Sequence, residues 1–403
     1  MARTVVILGA SYAGIPIAHY LLKHTVAKVK GLKVILVAPN TDFYWNVASV
    51  RAILPGMMGD EKIFYPIAPT FTKYSSDSYE LVHGVADKVD PDTSIVEVRG
   101  NDGSARTIQY DELALTTHLP THRVIATGTS FKADMPFKGL STTEETKAVL
   151  HDWSKRIAAA QSIVVAGAGA TGIEIAGELG QEYGVTGKKQ ITLISAEELP
   201  FDSEFRREVR EAAKWELERL KVRVIPNAKV TSPPTSATLT LASTSTTTKT
   251  KTANPPTTLK ADLLIPTYGI TPNTSFLPAS MLDARGYIKQ TTRLRAEGHA
   301  NIFVVGDVGN LQRPQGVHGD AQVVHLARSL LEKRLLGEEE GADYKPMEKI
   351  MLATSIGRNR GTGQLGNWRV WSLLVWWLKG RHLGTNVAAE FVRGDRTMTA
   401  KSW

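Results

Sequence analysis

The chain of 403 residues contains no cysteine. A disulfide framework, a thiolate nucleophile and a thiolate metal site are therefore excluded. Long apolar runs are missing as well, since no stretch reaches the ~20 residues that a spanning helix requires. The first twenty residues are broken by glycines and His19 and lack a basic start with a small-residue cleavage site, so no signal peptide is expected. Ala2 denies the chain an N-terminal glycine for myristoylation, and Lys401-Ser402-Trp403 is not a peroxisomal address. The expectation is a cytoplasmic protein that touches a membrane only at its surface, if at all. Blocks of one charge are absent too. The formal charge of +8 favours anionic partners, but Lys and Arg are dispersed along the chain, which suits a solvated basic surface and argues against nucleic acid as a partner.

What is present is the composition of a folded protein, 42% hydrophobic and 22% charged, at a length that suggests two or three domains. In "VVILGASYAGIPIAHYLLKH" the apolar residues Val5 to Leu8 run into Gly9, with Gly14 further on. Ile15, Ile17, Ala18, Leu21 and Leu22 then recur at helical spacing. With "LKVILVAP" as the next strand, this reads as a βαβ unit. Ser11 stands where the G-x-G-x-x-G pattern has its middle glycine. That position demands close approach of backbone to a pyrophosphate, and serine is the smallest replacement that adds a hydroxyl. Alone, the motif reads equally well as a packing turn.

A second turn, "SIVVAGAGATGIEIAGEL", carries Gly167, Gly169 and Gly172 in full register between a strand and an amphipathic helix, and the strand "QITLISA" follows. Two such units imply two dinucleotides. Between them "THRVIATGTSF" ends an apolar strand in Ala126-Thr127-Gly128, and later "ANIFVVGDVGN" closes another on Gly306-Asp307.

In this order, these four features resemble the two-dinucleotide flavoproteins of the pyridine nucleotide-disulfide reductase superfamily. The resemblance implies an α/β fold with two Rossmann-like dinucleotide-binding domains. The FAD domain would be split (residues 1–125 and 261–337), with the NAD(P)H domain inserted at 126–260 and an acceptor-side segment at 338–403. It implies FAD at Gly9, Ser11, Gly14 and Asp307, and NADH or NADPH at Gly167, Gly169, Gly172 and the loop from Gly269 to Asn273. Further cofactor contacts are expected at Asn40, Arg51, Ala126, Thr127, Gly128 and Gly306. The relatives' ribose-gripping carboxylate after the second strand is replaced here by Asn40, with Asp42 nearby. Ser195-Ala196 ends the matching strand of the second unit, so NADH and NADPH are not distinguished.

Without cysteine, the superfamily's dithiol chemistry is excluded. A Baeyer–Villiger signature, F-x-G-x-x-x-H-x-x-x-W, fails because Phe137 and Gly139 are followed by Thr143 and Lys147. The segments "DFYWNVASVRAI", "SIGRNRGTGQLGNW" and "LLVWWLKGRHL" are similar to those of the apoptosis-inducing-factor-like, ferroptosis-suppressor group, relatives of type II NADH:quinone oxidoreductases. That likeness implies hydride transfer from NAD(P)H to FAD and onward reduction of a quinone-like acceptor. It places Glu174 and Lys379 near the flavin. Their bland alternatives are a helix N-terminal carboxylate and a surface charge. The segment Gln315 to His325 is expected to start a helix aimed at the flavin pyrimidine, with His318 either a proton donor or, as a glycine-flanked histidine more often is, a cap.

Trp368, Trp371, Trp376 and Trp377, flanked by Arg369, Lys379 and Arg381, fit a peripheral membrane face, an acceptor-pocket wall or a helix packed on the FAD domain. The Thr/Ser/Pro-rich stretch from Thr231 to Lys260 predicts an irregular β excursion with a flexible loop between Ser243 and Thr258. The competing functional reading is an FAD-dependent tailoring oxidase or monooxygenase of a specialised metabolite.

Overall fold

The computed structural model describes residues 3–109, 122–131, 135–139, 142–233, 235–244 and 257–403. Arg3–Leu8 lies inside a sheet, with Leu32–Ala38 parallel on one side and His122–Ile125 parallel on the other. Its apolar residues are consecutive because both faces of a parallel sheet are covered. The full order is Ile302–Val304, His122–Ile125, Arg3–Leu8, Leu32–Ala38, Tyr79–Asp90, Ile95–Gly100 and Ala105–Gln109, with the last two antiparallel additions. The connections therefore leave Arg3–Leu8 in opposite directions, and a crevice opens beyond its C-terminal end.

The second sheet repeats the plan. Its order is Val222–Ile225, Gln190–Ile194, Ser162–Ala166 and Leu263–Pro266, all parallel. Two Rossmann-like units thus stand in the fold as expected. The boundary at 261 needs correction, because Leu263–Pro266 completes the second sheet. Each first strand needs a partner on both edges to be buried, and a short apolar run does not declare which sheet it serves. The chain crosses between the units on two short strands, Thr129–Phe131 outward and Ile270–Pro272 returning, which pair antiparallel with each other.

The Thr/Ser/Pro-rich stretch forms a small antiparallel sheet of Ala228–Val230, Thr238–Ser243 and Thr258–Lys260. Most of the loop expected between its last two strands lies outside the described residues. Beyond residue 338, a three-stranded sheet (Met351–Ile356, Arg360–Leu365, Trp368–Val370) leans on the helix Ala170–Leu179. The approach is close enough that a Cβ on Gly177 would lie 2.6 Å from the Gly357 nitrogen. The helix Thr385–Val392 then returns to the first unit, where Phe391 packs against Tyr12, Phe43 and Trp45. Among the described residues no helix is long and apolar enough to cross a membrane.

Two histidines are enclosed in the core of this assembly. His19 is wholly buried between the Tyr74 hydroxyl and the Val392 carbonyl, each at 2.9 Å, and His122 is 2% exposed. Burial, with Lys73 beside His19 and three arginines beside His122, lowers each pKa to about 3. Both rings are neutral in the fold and gain a proton on unfolding in acid. Their contribution is therefore complete above the unfolded histidine pKa and is lost as pH falls towards 3. Stability should decline below roughly pH 6.5 with a slope approaching 2.7 kcal/mol per pH unit for the pair. Urea unfolding between neutral pH and pH 5 measures the slope, and His122→Gln should reduce it by about half.

Candidate functional site

Both glycine turns sit at the C-terminal ends of their first strands, and both are forced by close backbone approaches. Gly9 has φ +104°, and a Cβ there would meet the Ala126 carbonyl oxygen at 2.6 Å. Gly167 has φ +108°, and its Cβ would meet Thr267 Oγ1 at 2.9 Å. In each unit the end of a neighbouring strand thus covers the first glycine. Gly14 and Gly172 let their helices pack onto the strands, since a Cβ on either would lie 1.8 Å from the carbonyl oxygen of Gly9 or Gly167.

Residues facing the crevices have room. A Cβ on Gly169 or on Gly128 would find nothing within 4 Å, and Ser11 is exposed in its turn. The helices Gly14–Tyr20 and Ala170–Leu179 begin there, with first-turn N–H groups that have no intrahelical acceptor. A narrow slot beside the first turn is lined by Ala10, Ala38, Asn40, Val82 and His83. The open cradles and the helix-start amides fit a dinucleotide in each unit.

Other expected contacts have different neighbours. Asp42 is drawn off by Lys147, whose Nζ donates to Oδ2 at 3.0 Å, leaving Asn40 at the strand end. Asp307 accepts from Lys138 Nζ at 3.1 Å, directly after Gly306, which has φ +77°. The Asn273 amide latches the crossover, donating to the Thr127 carbonyl at 2.9 Å and accepting from Ser130 Oγ at 2.9 Å. Gly269, with φ +76°, opens the returning strand. Ser195 is buried and donates to the Leu199 carbonyl at 3.2 Å.

Glu174 and Lys379, more than two hundred residues apart in sequence, meet in space. Lys379 Nζ donates to Glu174 Oε1 at 2.6 Å and to the Ala353 carbonyl at 3.1 Å. The same carboxylate oxygen accepts from the Ser355 backbone N–H at 3.1 Å and from its hydroxyl at 3.2 Å. One turn along the helix, Glu178 accepts from Arg51 Nε at 3.0 Å and Nη2 at 2.7 Å, while Nη2 also donates to the Gly380 carbonyl at 2.9 Å. Burial raises the Glu178 pKa, and the Arg51 guanidinium opposes it. On one helix face, at i and i+4, Glu174 thus holds Lys379 of the Trp-rich segment and Glu178 holds Arg51 of the first unit, whose guanidinium in turn bonds the Gly380 carbonyl. Arg51, expected as a cofactor contact, has its guanidinium engaged in this clamp.

The sequence offered one clue to the clamp that was not taken up. Glu178 falls on the buried face of an otherwise apolar helix, where a carboxylate requires a cation. His318 does not join the group: its Nδ1 pairs with the Arg313 carbonyl at 3.1 Å in the first turn of the helix Gly316–His325.

The Trp-rich segment touches the first unit through Gly380 and Leu383 but leaves most of its large side chains open. Val375 is buried, whereas Trp368, Trp371, Leu373, Trp377 and Leu378 are each at least 60% exposed. Trp377 and Leu378 directly precede Lys379 in the chain.

The pyridine nucleotide-disulphide oxidoreductase family matches residues 3–328. Oxidoreductase ptaL of Pestalotiopsis fici is 36% identical, over 93% of this chain and 94% of its own. Ferroptosis suppressor protein 1 of Taeniopygia guttata is 28% identical, over 94% of this chain and 93% of its own. The fold is similar to that of the sulfide:quinone oxidoreductase of Aquifex aeolicus, with TM-score 0.73 and 16% identity over 98% of this chain and 92% of that one. By its two cradles and this match, the chain belongs to the pyridine nucleotide-disulphide oxidoreductase family, with FAD and NAD(P)H as its cofactors.

Proposed function

We propose that this oxidoreductase passes electrons from NAD(P)H, through FAD, to a quinone-type acceptor. The observation that carries the reading is the Glu174–Lys379 pair, which lies where the second cradle's helix meets the base of the exposed tryptophan face. FAD is assigned to Gly9, Ser11, Gly14, Asn40, Ala126, Thr127, Gly128, Gly306 and Asp307. NAD(P)H is assigned to Gly167, Gly169 and Gly172, with Gly269 at the edge.

The bound cofactors supply the hydride chemistry, and little acid–base work is left to side chains. The protein's tasks are to hold the two rings in contact, exclude water and handle protons at the acceptor. Lys379 Nζ, held by Glu174 and the Ala353 carbonyl, is a proton donor placed at the inner end of an apolar approach. Trp371 and Trp377 give that approach a surface on which a hydrophobic ring can stack, and Arg369 and Arg381 border it. The same face suits a lipid surface, where such acceptors dissolve.

A second reading, the tailoring oxidase, draws on the higher identity to the fungal oxidoreductase ptaL than to ferroptosis suppressor protein 1, 36% against 28%.

The test is reoxidation of NADH-reduced protein, without oxygen, by quinones of increasing chain length. Quinones should reoxidise the flavin rapidly. Trp371→Ser/Trp377→Ser should slow that step at least roughly tenfold while leaving reduction by NADH unchanged. Indifference to every quinone, with rapid reoxidation by oxygen, would favour the tailoring reading.

A further inference from the structure

Residues 397–403 lie across the first unit and are fastened at both ends to helices that border the proposed FAD site. At one end is Asp320, 2% exposed, in the helix Gly316–His325. Its carboxylate accepts from Thr397 Oγ1 at 2.8 Å, the Met398 N–H at 2.9 Å, the Thr399 N–H at 3.0 Å and the Thr399 hydroxyl. At the other end is Trp403, 3% exposed. Its Nε1 donates to the Pro16 carbonyl at 2.7 Å, and its ring lies 4.8 Å from that of Tyr20 and 5.1 Å from the Arg328 guanidinium.

The two anchored helices are not arbitrary. Pro16 and Tyr20 belong to Gly14–Tyr20, which starts at the first glycine turn and takes the pyrophosphate of FAD in the assignment above. Gly316–His325 starts beside Gly306-Asp307: a Cβ on Gly319 would lie 3.4 Å from the Gly306 Cα, and Gln322 Oε1 accepts from the Gly306 N–H at 2.9 Å. Met398 presses on this same end, since a Cβ on Gly316 would meet its sulfur at 3.3 Å.

We infer that residues 397–403 are a strap that fixes the spacing between the helix at the FAD pyrophosphate and the helix at its flavin end, with Asp320 and Trp403 as its positioning residues. A dinucleotide bound in an extended form touches both helices at once, so its affinity depends on their separation as well as on the contacts at each end. A buried carboxylate satisfied by four donors from three consecutive residues is a rigid fastening, and an indole bonded and stacked at the far end is a second. Neither touches the glycine cradles. The inference rests on the FAD assignment made above.

The test uses full-length protein stripped of FAD and titrated back by flavin fluorescence, comparing wild type, Asp320→Asn, Trp403→Phe and the double variant. Each single variant should weaken FAD binding by roughly tenfold or more, as expected when one strong anchor is lost. The double variant should be little worse than the weaker single, because a strap released at one end no longer transmits from the other. If Asp320→Asn does not fold, Thr399→Val, which removes a single hydroxyl, takes its place. Unchanged FAD affinity, with melting temperatures lowered equally in the stripped and loaded forms, would reduce the segment to packing and overturn the inference. Fully additive losses would also overturn it, leaving two independent local contacts. Failure of the wild type to take up FAD would remove the FAD assignment and the strap with it.

Discussion

Gly172→Ala should leave FAD bound and abolish its reduction by NAD(P)H, with the rate falling at least a hundredfold. The added methyl group would lie 1.8 Å from the Gly167 carbonyl oxygen and 2.7 Å from Thr267 Oγ1. Neither neighbour can retreat cheaply. Gly167 is held by its N–H bond to the Ile194 carbonyl, and Thr267 Oγ1 already bonds both the Ala166 and Gly167 carbonyls. The helix Ala170–Leu179 must therefore shift outward, which misplaces the N-terminus proposed to hold the pyrophosphate and moves Glu174 with it. Displacement on the order of 1 Å is enough for a hundredfold loss where two rings must touch. Flavin content and the anaerobic reduction rate of the purified variant check both halves. Normal reduction would show that this turn does not carry the nicotinamide cofactor.

Arg51→Ala should destabilise the protein by about 3–5 kcal/mol, the typical cost of stripping a buried carboxylate of its partner. Arg51 and Glu178 have side chains only 8% and 1% exposed, so the abandoned Glu178 would lie out of reach of bulk water. The loss also severs the bond to the Gly380 carbonyl, one of the links between the tryptophan segment and the body of the protein. Burial already raises the Glu178 pKa, so without Arg51 the carboxyl should take up a proton, and the variant should recover part of its stability in mild acid. Arg51→Met/Glu178→Leu, which removes both charges and keeps the volume, should return most of the stability. Urea unfolding of the three proteins measures the series. A single variant as stable as wild type would mean that water or a rearranged side chain reaches Glu178.

The residues that made the fold legible are those whose conformation admits few alternatives. Gly9, Gly14, Gly167 and Gly172 sit where a Cβ would strike backbone or a fixed hydroxyl, and such demands leave a readable spacing. The consecutive apolar residues of Arg3–Leu8 and Ser162–Ala166 declare strands covered on both faces. Leu263–Pro266 was assigned to the wrong unit because its apolar run fits either sheet, and only the free edge of Ser162–Ala166 selects between them. Glu174 and Lys379 could be named from the resemblance, but their contact depends on how the segment after residue 338 folds back, which no local pattern encodes. The Arg51–Glu178 pair joins residues 127 positions apart, and only the burial of Glu178 hints at it in the sequence. The tryptophans fitted three environments equally well as letters. Their exposure follows as Val375 turns inward against Gly361 and Gly363.

The central claim is that the two cradles bring a nicotinamide onto a flavin with no sulfur relay between them. Anaerobic mixing of the FAD-loaded protein with NADH or NADPH in a stopped-flow spectrophotometer tests it most directly. The account predicts that the flavin absorbance bleaches fully in one catalytically fast phase, with one equivalent of reduced nucleotide consumed per flavin. A protein that binds FAD yet keeps its colour through prolonged incubation with both nucleotides would contradict it.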